Sequence, residues 1–184
     1  YHYVRPDMSF PPYDYYHLNL SDFRAQLDYF ADEFGFVTRE EFTALLRGDR
    51  TRPPEGVVLT FDDGLRDHYE YVYPELLERG LWGLFFVPTA PLTDGTILDV
   101  HRTHILLGRS DGETLLDALL ANIEEWMIPD KKIEEFQEYT YTGQDSAEPT
   151  IQAKRILNFF IDYEYRNEVL QAVEADLSMD TPAI

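Results

Sequence analysis

Residues 57–87 constrain this chain more than any other stretch. Val57 to Phe61 is a nearly continuous apolar run, the pattern of a strand buried on both faces. Asp62-Asp63-Gly64 follows at once. Tyr69, Val72, Tyr73, Leu76 and Leu77 then recur at helical spacing, and Gly80 closes that helix. Leu81 to Val87 is a second apolar run, stopped by Pro88. A strand, a helix and a strand in that order form a parallel, right-handed unit. The chain is therefore expected to be an α/β protein with a parallel sheet.

Residues 1–5 read as a further short strand of aromatic and β-branched residues, and residues 6–19 as a loop rich in Pro, Tyr and Asp. Ser21 is the expected N-cap of a helix with Phe23, Leu27, Phe30 and Ala31 on its apolar face, ended by Gly35. Phe36-Val37 is a very short extended piece. Thr38 and Glu41 match a capping box opening a second helix through Phe42, Leu45 and Leu46. The strand candidates are thus 1–5, 36–37, 57–61 and 81–87. Beyond Val87 no strand pattern appears: 89–99 reads as loop, and 100–127, 130–138 and 149–177 read as helix, with a break at Gly108 to Gly112. The expected division is a first part over 1–99 and a helical insertion or subdomain over 100–184.

Composition narrows the partners. A formal net charge of −20 repels phosphate and disfavours nucleic acid or an anionic membrane surface, while metal cations remain compatible. The chain has no cysteine, so disulfides and thiolate metal sites are excluded. No apolar run approaches the roughly 20 residues needed to span a bilayer. No signal peptide is visible, and a cytoplasmic location is the expectation. Aromatic residues make up 15% of the chain; they serve packing first, and carbohydrate stacking is the functional alternative.

Asp62 and Asp63 carry the chemistry. Ligand sites in parallel α/β folds lie beyond the carboxyl ends of the strands. Successive residues leaving a strand point in different directions, so one carboxylate can bind a metal while the other takes a proton from water. Gly64 permits a tight turn. The structural alternative is a helix N-cap beside a turn aspartate.

Leu59-Thr60-Phe61-Asp62-Asp63-Gly64 resembles the first motif of the NodB-homology polysaccharide deacetylases, carbohydrate esterase family four. Tyr73-Pro74-Glu75-Leu76-Leu77, Phe85-Phe86-Val87-Pro88-Thr89 and Tyr1-His2-Tyr3 share the family's look. The remainder resembles a branch with a helical insertion that is associated with bacterial surface polysaccharide biosynthesis. The resemblance implies a distorted parallel (β/α)7 barrel, incomplete here, with the insertion after the fourth strand candidate. It implies hydrolysis of N-acetyl, less often O-acetyl, groups on a carbohydrate. Asp62 would be the general base and Asp63 a ligand of a divalent metal, usually zinc. A backbone N–H near Tyr3 or the Asp63-Gly64 turn is a candidate oxyanion donor.

The chain departs from that family in lacking a His-Ser/Thr-x-x-His motif. Its nearest arrangement is His101-Arg102-Thr103-His104, whose histidines are three apart and hence neighbours on a helix. His101 and His104 are candidate metal ligands. Substrate contact by His104 or Arg102, and ordinary helix-face roles, are the alternatives. The simplest expectation is that the histidine pair and the missing strands lie beyond residue 184. A catalytically inactive carbohydrate-binding homologue is the second reading, and an acidic interaction module working through residues 100–184 the third. Tyr141, within Tyr139 to Gln144, is a candidate for sugar stacking, with a surface loop as the alternative. His68 is expected to be exposed or to stand behind the aspartates, and Asp67 to favour the positive end of its helix. Ile156 to Ile161 must be buried. Oligomeric state is not legible.

Overall fold

The structure, a computed structural model, describes residues 1–6, 15–129 and 148–178. The chain forms two compact units, one of Tyr1–Ser9 with Tyr16–Thr89 and one of Phe10–Tyr15 with Ala90–Ile184. The division after Thr89 falls earlier than the expected one after residue 99.

In the first unit, β1 (Val4–Arg5) pairs in parallel with β2 (Leu18–Asn19), a strand the polar sequence around it had hidden. Helix α1 (Leu20–Glu33) follows directly. Its N-cap is Asn19 rather than the expected Ser21: the Asn19 side chain accepts from the Ser21 N–H and hydroxyl, both at 2.8 Å. Helix α2 (Arg39–Leu46) opens on the expected capping box of Thr38 and Glu41. Strand β3 (Leu59–Phe61) pairs in parallel with β4 (Gly83–Phe85), and Phe36 bridges Val57, also in parallel. Backbone bonds from Tyr1 N to Thr60 O (2.8 Å) and from Asp62 N to Tyr1 O (2.9 Å) lay the chain's first residues beside β3. These are parallel strand pairs; no closed barrel forms among the described residues.

The crossover between β3 and β4 is helical from Arg66 to Glu78, with a wide turn at His68–Val72 leading into α3 (Tyr73–Glu78). Pro74 explains the widening. Proline has no N–H, and its ring collides with the carbonyl four residues back. The Tyr73 N–H reaches five residues back, to His68 O, which opens the coil at that point. The core of this unit gathers Val4, Phe23, Leu27, Leu59, Phe61, Val72 and Leu76. Phe61 is its centre, stacked on Phe85 at 4.8 Å and on Tyr1 at 5.4 Å. The Trp82 indole N–H anchors the adjoining turn on Val37 O at 2.7 Å.

The second unit is helical among its described residues. It comprises α4 (Ala90–Asp94), α5 (Asp99–Arg109), α6 (Gly112–Ala121), a short turn at Glu125–Met127, α7 (Glu148–Arg155) with a wide turn at Ile156–Phe160, and α8 (Tyr163–Asp176). The expected single helix over 149–177 is therefore two, interrupted at Ile161 and Asp162. The expected helix at 130–138 lies outside the described residues. Leu106, Leu115, Leu119, Leu157, Ile161, Leu170 and Val173 form the core. Leu157 and Ile161 are buried as expected, although Phe159 of the same apolar run faces outward. No helix among the described residues is long and apolar enough to cross a membrane.

Candidate functional site

Strand β3 delivers Phe61 to the core and then leaves the sheet. A strand alternates its side chains, so the residue after buried Phe61 turns outward, and Asp62 emerges 43% exposed. Its N–H is tied to Tyr1 O, so its backbone is still held in sheet register. The chain reverses immediately. Asp63 has φ 77° and Gly64 φ 60°. Two successive positive φ angles make a left-handed turn, a conformation that Asp and Gly both tolerate. Gly64 is also fixed by contact, since a Cβ there would lie 2.9 Å from Val87 Cγ1 on the segment following β4. Asp63 is the less exposed carboxylate, at 24%.

A residue given no functional role from the sequence completes the arrangement. His2 Nε2 stands 3.9 Å from Asp62 Oδ2 and 3.9 Å from Asp63 Oδ2. It reaches them because Tyr1 runs beside Thr60 and Asp62, which places the following residue next to the turn. Strand register is not written in so short a segment, so only the long-range backbone pairing reveals this neighbour.

The start of the crossover helix grips β1 at two successive residues. Asp67 Oδ2 accepts from Arg5 Nε at 2.8 Å, a largely buried pair. Burial holds the Asp67 carboxyl above its ordinary range, and Arg5 offsets this only in part. The pair thus contributes more to position than to stability, and Asp67 stands in the first turn of its helix. His68 is the second grip. It is 3% exposed, packs its ring against Phe61 and Phe85, and lies 2.7 Å through Nε2 from His2 O. The expected exposed position is wrong because the wide turn before Pro74 swings this residue inward. A carbonyl only accepts, so Nε2 carries the proton; Nδ1 is buried with no hydrogen-bond partner. Burial pushes the imidazole pKa below its ordinary value, and a ring proton at Nδ1 would be an unsatisfied buried donor.

His101 and His104 lie on α5 in the second unit, with ring centroids 6.4 Å apart. The His104 ring is stacked on Tyr15 at 3.9 Å, and Lys154 Nζ sits 5.2 Å from the same tyrosine ring. Arg102, between them, is buried. It donates through Nε and Nη2 to the two Glu174 carboxylate oxygens, each at 2.9 Å, and through Nη1 to Asn167 at 2.7 Å. The guanidinium expected to meet substrate is thus engaged inside the helical unit, joining α5 to α8. Tyr141 lies outside the described residues.

The donor chemistry at Asp62, Asp63 and His2 suits a divalent cation: hard carboxylate oxygens and one imidazole. Their spacing is wider than a closed shell, because two ligands at about 2 Å in a tetrahedral set stand only about 3.3 Å apart. Among the described residues no group of three or more His, Asp or Glu side chains is placed to hold a metal. Compared with known proteins, the chain matches no family model, no curated protein and no solved structure.

Proposed function

We propose that this protein is a metal-dependent hydrolase that removes N-acetyl, or O-acetyl, groups from a carbohydrate, in the manner of the polysaccharide deacetylases whose first motif it resembles. The observation that carries the reading is the adjacent pair Asp62 and Asp63 at the carboxyl end of β3, where a positive-φ turn at Asp63 and Gly64 follows the strand. The sequence likeness makes surface polysaccharide biosynthesis the setting.

In the proposed reaction Asp62 takes a proton from water. The water oxygen bonds to the acyl carbon, the acyl carbon–nitrogen bond breaks, and the freed amine takes up a proton. Acetate and an amino sugar result, with no redox partner. Asp62 suits the base role because it is half-exposed at the strand end, within reach of solvent. Asp63 would hold the divalent metal, zinc by the resemblance, together with donors beyond those grouped here. When bound, such an ion polarises an acyl oxygen and acidifies water.

The test is acetate release from N-acetylated glucosamine oligosaccharides by full-length protein supplied with zinc. Asp62→Asn should lower turnover at least about a hundred-fold, the low end of what a positioned base contributes, without loss of zinc. Asp63→Ala should abolish zinc binding. Full activity in Asp62→Asn would sink the assignment. Glycan binding that survives Asp63→Ala, with no acetate release by any form, would favour the inactive carbohydrate-binding homologue.

A further inference from the structure

His2 and His68 are not explained by the roles given to the two aspartates. His2 Nε2 is equidistant, at 3.9 Å, from one oxygen of each carboxylate. That gap is too long for a direct hydrogen bond. A single water bonded to both sides can stand at the edge of such a gap, which is somewhat shorter than the roughly 4.6 Å that a tetrahedral water spans. The backbone that carries His2 is pinned on either flank by Tyr1 and by the β1 pairing with β2. Its own carbonyl is held by a buried imidazole with a fixed tautomer. A histidine sealed among Phe61 and Phe85 is a costly means of holding one carbonyl if the carbonyl's place has no consequence.

We infer that His2 orients the attacking water between Asp62 and Asp63, and that His68 is the positioning residue that holds His2 in place. The water donates one proton toward Asp62 and is steered by the His2 ring, so the base meets the correct proton. His68 touches neither water nor carboxylate; it acts through the His2 backbone. The substrate side of this inference rests on the deacetylase reading above, whereas the placement of His2 does not.

Two measurements on the full chain test it. The first is the ring nitrogen and proton spectrum of His2, assigned through a His2→Gln variant. Asp62→Asn should shift the His2 ring signals in the otherwise native protein. The same substitution should leave them nearly unmoved in His68→Leu, where the clamp is lost. The second is kinetic. His68→Leu should lower kcat about ten-fold or more with little change in KM, the cost typical of removing a residue that orients another. His68→Gln, whose amide can still donate to His2 O, should recover most of it. A His2 ring indifferent to Asp62→Asn in the native background overturns the inference. So does a His68→Gln variant as impaired as His68→Leu while both melt near the native temperature. If His68→Leu does not fold, the native spectrum and His68→Gln decide alone. Ring signals that behave as expected in a protein that releases no acetate would refute the deacetylase reading and leave the His2 placement standing.

Discussion

Gly64→Ala probes the turn that follows Asp62 and contains Asp63. At φ 60°, a side chain meets the left-handed penalty of about 1–2 kcal/mol. The new Cβ would also stand 2.9 Å from Val87 Cγ1 and 3.3 Å from Cγ2. Val87 is 54% exposed, so it can yield by leaving its rotamer, at about 1 kcal/mol. Against this, alanine reduces the freedom of the unfolded chain, returning about 0.4–1 kcal/mol. The net expectation is a loss of about 1–2.6 kcal/mol. Urea unfolding of the native protein, Gly64→Ala, Val87→Ala and the double variant separates the contributions. Trp82, whose indole is bonded inside the first unit, reports that unit alone if Trp126 is replaced by Phe in every variant. In the Val87→Ala background the alanine should cost about 1 kcal/mol less, because only the backbone penalty remains. An equal cost in both backgrounds would refute the packing of the turn against Val87. No cost in either would refute the left-handed turn itself.

Other substitutions read neighbouring parts of the molecule. Asp63→Gly relieves a non-glycine residue at φ 77° and should raise stability by at most about 1 kcal/mol in the same assay, the left-handed penalty less the freedom glycine adds to the unfolded chain, while metal binding is lost; a destabilised Asp63→Gly would contradict the turn geometry. Arg102→Ala strands the Glu174 carboxylate, which is only 13% exposed, and should cost about 3 kcal/mol or more in the second unit, read by Trp126 fluorescence. Arg102→Lys, lacking the planar fork, should recover less than half of that. His68 gives a pH dependence. Its folded pKa is lowered by burial, so the unfolded chain takes the proton first as pH falls. The stability it contributes is whole above about pH 6.5 and declines as pH drops toward the depressed folded value. Urea midpoints of the native protein should therefore fall more steeply below about pH 6.5 than those of His68→Gln; parallel curves would refute a buried neutral imidazole.

The local pattern carried most of the first unit. Continuous apolar runs marked β3 and β4, the Thr38 and Glu41 box marked α2, and Asp-Gly marked the turn, because each depends on neighbours in sequence. The misses were set by distant partners. Leu18-Asn19 became a strand only by pairing with Val4 and Arg5. His68 went inward because Pro74, six places on, forces the coil open. His2 met the aspartates through register with Thr60 and Asp62. Arg102 found Glu174 across two helices, and nothing in the spacing of His101 to His104 signals a carboxylate so far along the chain.

The turn also bears on how Asp63 should be understood. A left-handed turn alone is served as well by Asn or Gly at its first position. Asp at that place adds a negative charge beside Asp62 in a chain that already carries a net charge of −20, an arrangement that turn formation does not require. Two adjacent carboxylates at a strand end are the pattern of a site maintained for a ligand rather than for folding. The same logic reaches His2, whose imidazole, although 59% exposed, stands 3.9 Å from both carboxylates. Functional demand on the turn therefore predicts that the least strained variant, Asp63→Gly, is also the one that binds no metal. Stability and activity should move in opposite directions at this position and together at Gly64.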